Sequence, residues 1–152
     1  MISSKSVIKE IEHIFSGDYD QNREWCFNYS TSEIIEKFSQ LFSKIDKYDT
    51  EIKDRLISIN ADIILRDFPT DEVAISFSLK NIHYPKIKEA ILNKLTVSYY
   101  AIYYVREIAK DKSKFQELID FAKVQLELGT YDDKSIEIAK LLEIDISPNQ
   151  RM

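Results

Sequence analysis

The sequence predicts an all-α fold of about six to eight helices running as antiparallel pairs, on three observations. Apolar residues recur every three to four positions through most of the 152-residue chain, the spacing that lines one face of a helix. Only two glycines (Gly17, Gly129) and three prolines (Pro69, Pro85, Pro148) are present, too few turn residues for a succession of short strands. Four of the five stand where a helix should stop or start.

Val7, Ile8, Ile11, Ile14 and Phe15 define a first amphipathic helix over 4–16, with Gly17 as its stop. The stretch Asp18 to Tyr29 opens polar and then places Trp25, Cys26 and Phe27 side by side, which reads as a loop pinned by aromatics or as a short helix. Ser30 and Glu33 have capping-box spacing, and the row Ile34, Ile35, Phe38, Leu41, Phe42, Ile45 carries a second helix over about 31–46. Asp49 or Thr50 caps a third, whose row Ile52, Leu56, Ile59, Ile63, Ile64 runs to Phe68-Pro69. Thr70, with Asp71 and Glu72 in the first turn, opens a fourth.

Pro85 suits a first helical position, so 85–110 is one long helix or two joined near Thr96. Asp111 or Ser113 caps the helix Phe115–Leu128, which Gly129 ends, and Asp132 or Asp133 opens a last one through Ile136, Ile138, Ala139, Leu141 and Leu142. A single helical domain is expected over 1–146, with a flexible tail over 147–152 containing Ser147-Pro148-Asn149.

Helix pairs start near 31, 70 and 113, a spacing of about 40 residues, in the range of two-helix solenoid units. Asp71-Glu72-Val73-Ala74 through Leu79, followed by Tyr84-Pro85-Lys86-Ile87-Lys88-Glu89-Ala90-Ile91 to Leu95, resembles one HEAT-like repeat, and Ile136-Glu137-Ile138-Ala139-Lys140-Leu141-Leu142 resembles a further helix of that kind. The resemblance covers about half the chain and implies a HEAT-like right-handed stack. Small residues do not recur at repeated positions as they do in that family, so a compact helical bundle is the alternative.

Residues 1–76 hold 15 acidic and 9 basic side chains, and residues 77–152 hold 11 and 12. The first part is −6 and the second +1, a distribution that disfavours nucleic acid and either keeps the surface solvated or steers a cationic partner. Lys9, Glu10, Glu12 and His13 break the N-terminal apolar run, and no stretch reaches the ~20 apolar residues that span a bilayer. A cytoplasmic location and no membrane partner are expected.

The residues that chemistry would need are scarce. His13 and His83 are the only histidines, and Glu10 with His13 makes one Glu-x-x-His pair where a di-metal bundle needs two. Cys26, the only cysteine, lies between Trp25 and Phe27 and reads as a buried structural thiol. Two isolated glycines cannot form a phosphate-cradling loop or a nucleophile elbow, and the acidic pairs Asp71-Glu72 and Asp132-Asp133 fall at helix starts. No catalytic residue, metal or cofactor is expected.

Two groups of residues remain as candidate partner-binding surfaces. In Ser98-Tyr99-Tyr100-Ala101-Ile102-Tyr103-Tyr104-Val105-Arg106, Ala101, Ile102, Val105, Ile108 and Ala109 share one helical face and Tyr99 and Tyr103 project from nearly the opposite side. Either the helix is buried on most sides with phenols reaching polar partners at its edges, or Tyr99 and Tyr103 are exposed anchors. Asp18, Tyr19, Asp20, Glu24 and Trp25 join acids to aromatics in the segment after the first helix, suited to the lysines and arginines of a basic protein unless Trp25 belongs to the core.

Small acidic helical chains of this kind resemble bacterial-type immunity proteins. That resemblance implies an inhibitor that covers the active site of a basic toxin such as a nuclease, with the first-half acids steering and the tyrosines anchoring. The alternatives are an adaptor or regulatory subunit of HEAT-like type, and a small-molecule-binding domain or enzyme.

Overall fold

In a computed structural model, residues 4–129 and 132–144 are described. Among them are eight α-helices and one two-stranded antiparallel sheet: α1 (Ser4–Ile14), β1 (Gly17–Tyr19), β2 (Trp25–Phe27), α2 (Thr31–Phe42), α3 (Thr50–Asp62), α4 (Glu72–Lys80), α5 (Pro85–Leu95), α6 (Ser98–Ile108), α7 (Gln116–Leu128) and α8 (Asp133–Leu141). The fold is all-α, as its periodicity predicts. The chain divides into two compact units, Met1–Asn60 and Ala61–Met152, with the division inside α3. The expected C-terminal tail lies outside the described residues.

In the first unit α1 packs against α2, and Val7, Ile11, Ile14, Ile34, Ile35, Phe38 and Phe42 are buried. α2 begins with a complete capping box: Ser30 Oγ accepts from the Glu33 amide at 3.2 Å, and Glu33 Oε1 accepts from the Ser30 amide at 3.2 Å. It ends at Phe42 instead of 46, and a 3-10 turn over Ile45–Lys47 keeps Ile45 buried. Asp49 caps α3 by accepting from the Ile52 amide at 2.9 Å.

Within residues 18–29 no helix forms, and Asp18, Tyr19 and Trp25–Phe27 are strand where a loop or short helix was expected, with a turn between them. The two strands form a β-hairpin pairing Gly17 with Phe27, Asp18 with Cys26 and Tyr19 with Trp25, and Cys26 is exposed where a buried thiol was expected.

In the second unit a π-helical segment, Ile63–Asp67, continues the last residues of α3, and its closing bond runs from the Phe68 amide to the Ile63 carbonyl at 2.8 Å. The fourth helix is capped by Asp71, not Thr70, through its carboxylate on the Ala74 amide at 2.9 Å. The 85–110 region resolves into α5 and α6, separated at Thr96 and Val97. α7 starts after Phe115 with no side-chain cap, so neither Asp111 nor Ser113 serves there; Asp111 itself is non-helical inside a 3-10 segment, Ala109–Lys114.

α6 is central to this unit and touches α4, α5 and α8. Its buried face is Ala101, Ile102, Tyr104, Val105 and Ile108. Tyr104 is wholly buried and its hydroxyl has no hydrogen-bond partner among the described residues, unlike the reading in which the phenols reach polar partners at the helix edges. An unpaired buried hydroxyl costs about 1–3 kcal/mol. Burying Ile102, Val105 and Ile108 contributes about 1.5–3 kcal/mol each, so the apolar face outweighs that cost.

Candidate functional site

The hairpin is built by alternation. The Asp20 amide donates to the Glu24 carbonyl at 2.9 Å and the Asn28 amide to the Ser16 carbonyl at 2.8 Å, so the pairs two residues apart along the ladder point their peptide groups inward. The intervening residues Gly17, Tyr19, Trp25 and Phe27 share one face, and Asp18, Asp20, Glu24 and Cys26 share the other. One face is aromatic and the opposite face acidic.

The turn depends on Asp20. Its Oδ1 accepts from the amides of Asn22 at 2.8 Å and Glu24 at 3.0 Å, and its carbonyl accepts from the Arg23 amide at 2.9 Å. Arg23 has φ of 60°, so a type I turn followed by a left-handed residue closes a three-residue loop. Asp20 is therefore a turn residue first, and its capacity toward a partner is reduced.

Gly17 is required by close approach. A Cβ there would lie 2.3 Å from the Cys26 carbonyl oxygen and 2.9 Å from the Trp25 ring. With hydrogen in that place, the indole lies across β1 and joins a run of edge-on rings: Tyr19–Trp25 at 5.3 Å, Trp25–Phe27 at 6.2 Å, Phe27–Phe15 at 6.4 Å and Phe15–Phe38 at 5.9 Å. Phe38 is fully buried. The run starts in the core of the first unit and ends at its surface, where Trp25 is 46% and Tyr19 65% exposed.

Behind this face Asp18 Oδ1 accepts from the Tyr19 amide at 2.8 Å. Desolvation and the carboxylates of Asp20 and Glu24 push the Cys26 thiol above its ordinary value, so the thiolate needed for nucleophilic chemistry is disfavoured.

Tyr99 is 53% exposed and Tyr103 is half-buried. Both are already covered by cations: Lys134 lies 5.5 Å from the Tyr99 ring and Arg106 5.6 Å from the Tyr103 ring, while Lys94 lies 4.1 Å from Tyr100. A basic partner arriving at α6 would meet these cations, of which Arg106 is itself paired with Glu137 at 3.1 Å. The expected site thus divides between the units: Asp18, Tyr19, Asp20, Glu24 and Trp25 lie together on the hairpin, and Tyr99 and Tyr103 lie on α6.

Two concave regions of the second unit carry residues that sequence reading did not assign to a site. A cleft of about 290 Å³ contains Asp132, whose carboxylate caps α8 through the Ser135 amide at 2.7 Å and accepts from Ser98 Oγ, at the start of α6, at 2.8 Å. The bond from the Ser135 backbone, then the Ser98 hydroxyl, hold its pKa below the ordinary carboxylate value. Only the capping role was visible in the sequence, because Ser98 is 34 residues away. A groove of about 460 Å³ has Leu79, Ile82 and Phe115 in its wall with Lys80, Lys110 and Lys114.

His13 Nε2 and the Tyr29 hydroxyl lie 2.6 Å apart, and the His83 ring stacks on Tyr84 at 4.2 Å. Among the described residues no three of His, Cys, Asp and Glu converge in a group able to hold a metal ion, and no helix is long and apolar enough to cross a membrane. The chain matches no protein-family model, no curated protein and no solved structure.

Proposed function

We propose that this chain is a protein-binding module that holds a basic protein on its hairpin, in the manner of an immunity protein that covers the active site of a cationic toxin. The observation that carries the reading is the Tyr19–Trp25 pair, exposed at 65% and 46% yet braced by an aromatic run into buried Phe38. Large amphipathic rings held rigid in water are the side chains that dominate interfaces, since little entropy is lost when they are covered. Asp18 and Glu24 on the opposite face add the charge that attracts lysine and arginine.

Affinity capture from the native host with wild-type protein and with Trp25→Ala tests this. One basic protein retained by the wild type, released as salt rises, and held at least about tenfold more weakly by the variant is the expected result. Inhibition of that protein's activity by the wild type distinguishes an immunity role from an adaptor role. Equal capture by both proteins would overturn the hairpin as the interface.

A further inference from the structure

The hairpin has two outer edges, and the structure treats them differently. In its ladder the pairs Tyr19–Trp25 and Gly17–Phe27 are the ones whose peptide groups turn away from the partner strand. On β1 the outward Tyr19 amide is taken by Asp18 Oδ1 at 2.8 Å, which blunts that edge as charged side chains commonly do. On β2 the outward N–H and C=O of Trp25 make no hydrogen bond with the described residues. At the Tyr19–Trp25 pair it is therefore β2 whose outward N–H and C=O both stay unbonded among the described residues.

We infer that the β2 edge at Trp25 receives an extended segment of a partner as a third strand, with lysine or arginine alternating with apolar residues. The inference rests on the hairpin being the interface and adds the mode of recognition. Its basis is the segregation of the two faces. A residue set beside Trp25 has its side chain on the aromatic face with Tyr19 and Phe27; its neighbours in sequence fall on the other face, beside Glu24 and Cys26. Cys26 is small and pairs with Asp18, so a long cationic side chain can lie over it and reach the Asp18 carboxylate. Main-chain bonds supply affinity and the alternating side chains supply selectivity, the division of labour of strand addition.

The probe is a capped peptide of alternating lysine and valine, titrated into the intact protein. Trp25 is the only tryptophan, so its fluorescence reports occupancy of this edge and its amide exchange reports the backbone bond. Binding is expected to shift the emission, slow exchange of the Trp25 amide at least about tenfold and weaken with Asp18→Asn or Glu24→Gln. Two further peptides carry N-methyl groups on all valines or on all lysines. One set must lose binding by about tenfold or more while the other binds within about twofold of the parent: the valine set for an antiparallel third strand, the lysine set for a parallel one. Equal affinity of both methylated peptides, or binding with unchanged Trp25 exchange, overturns strand addition. Absence of peptide binding also overturns it, whereas capture of a basic protein that depends on Trp25 would leave the hairpin standing as an interface reached in another way.

Discussion

At the scale of single residues, two positions are decided by what surrounds them. Gly17 sits where a methyl group would overlap the Cys26 carbonyl at 2.3 Å, and the atom it would meet is backbone, which cannot turn aside as a side chain can. Gly17→Ala is expected to destabilise the hairpin by about 1–3 kcal/mol, seen as Trp25 emission reaching its unfolded value at lower denaturant; an unchanged transition would show that β1 can shift without cost. Tyr104 is the converse case, a buried hydroxyl without a partner among the described residues. Tyr104→Phe removes the orphan hydroxyl and keeps the ring, so urea unfolding should show a gain of about 1 kcal/mol. A loss of that size would show that the hydroxyl is satisfied in solution.

At the scale of elements, helix starts differ in how their free amides are met. α2, α4 and α8 each have a side chain accepting from an early amide, whereas α5, α6 and α7 have none. Asp132 does more than the others, because the same carboxylate also receives the Ser98 hydroxyl at 2.8 Å and so ties the start of α6 to the start of α8. Asp132→Ala should cost about 1–2 kcal/mol, the upper part of the range for lost caps, and Asp132→Asn distinctly less, since an amide oxygen still caps. Comparing the two by thermal unfolding, with Ser98→Ala as a third variant, separates the cap from the tie. If all three variants melt with the wild type, the carboxylate contributes neither.

At the scale of the whole molecule, these groups set the shape of stability against pH. Bonds from the Ser30 side chain and backbone hold Glu33 below its ordinary pKa, and bonds from Ser135 and Ser98 hold Asp132 below its own. Stability from such groups is present above the usual carboxylate range near about 4 and is lost as pH falls through their lowered folded-state values. Burial raises the pKa of Tyr104 and of Tyr48, with the Tyr100 and Glu10 charges adding respectively. Their contribution is present below the ordinary tyrosine value of about 10 and is lost as pH rises above it, at up to about 1.4 kcal/mol per pH unit for a single group. Denaturant titrations across pH should therefore show a plateau with falls on both sides. Tyr104→Phe should flatten the alkaline fall and leave the acid one unchanged; an alkaline fall of the same slope in the variant would assign it to other groups.

The sequence by itself determined the helices, because a helix is bonded within its own length. Ser30-x-x-Glu33, Asp49, Pro85, Gly129 and Asp132 stand within a few residues of the amides or carbonyls they serve, and the three-to-four-residue apolar rows name the buried faces. It determined less where partners are far apart. Asp18-Tyr19-Asp20 and Glu24-Trp25-Cys26-Phe27 do alternate, but three residues per strand is too short a pattern to distinguish from a loop, and what makes them strands is mutual bonding across the turn. Only tertiary structure decided that Trp25 and Cys26 are exposed, that Tyr104 rather than Tyr99 or Tyr103 is wholly enclosed, and that α6 tyrosines face cations from α5 and α8. Periodicity says which side chains share a face; exposure depends on which neighbours cover that face, and those neighbours come from distant parts of the chain.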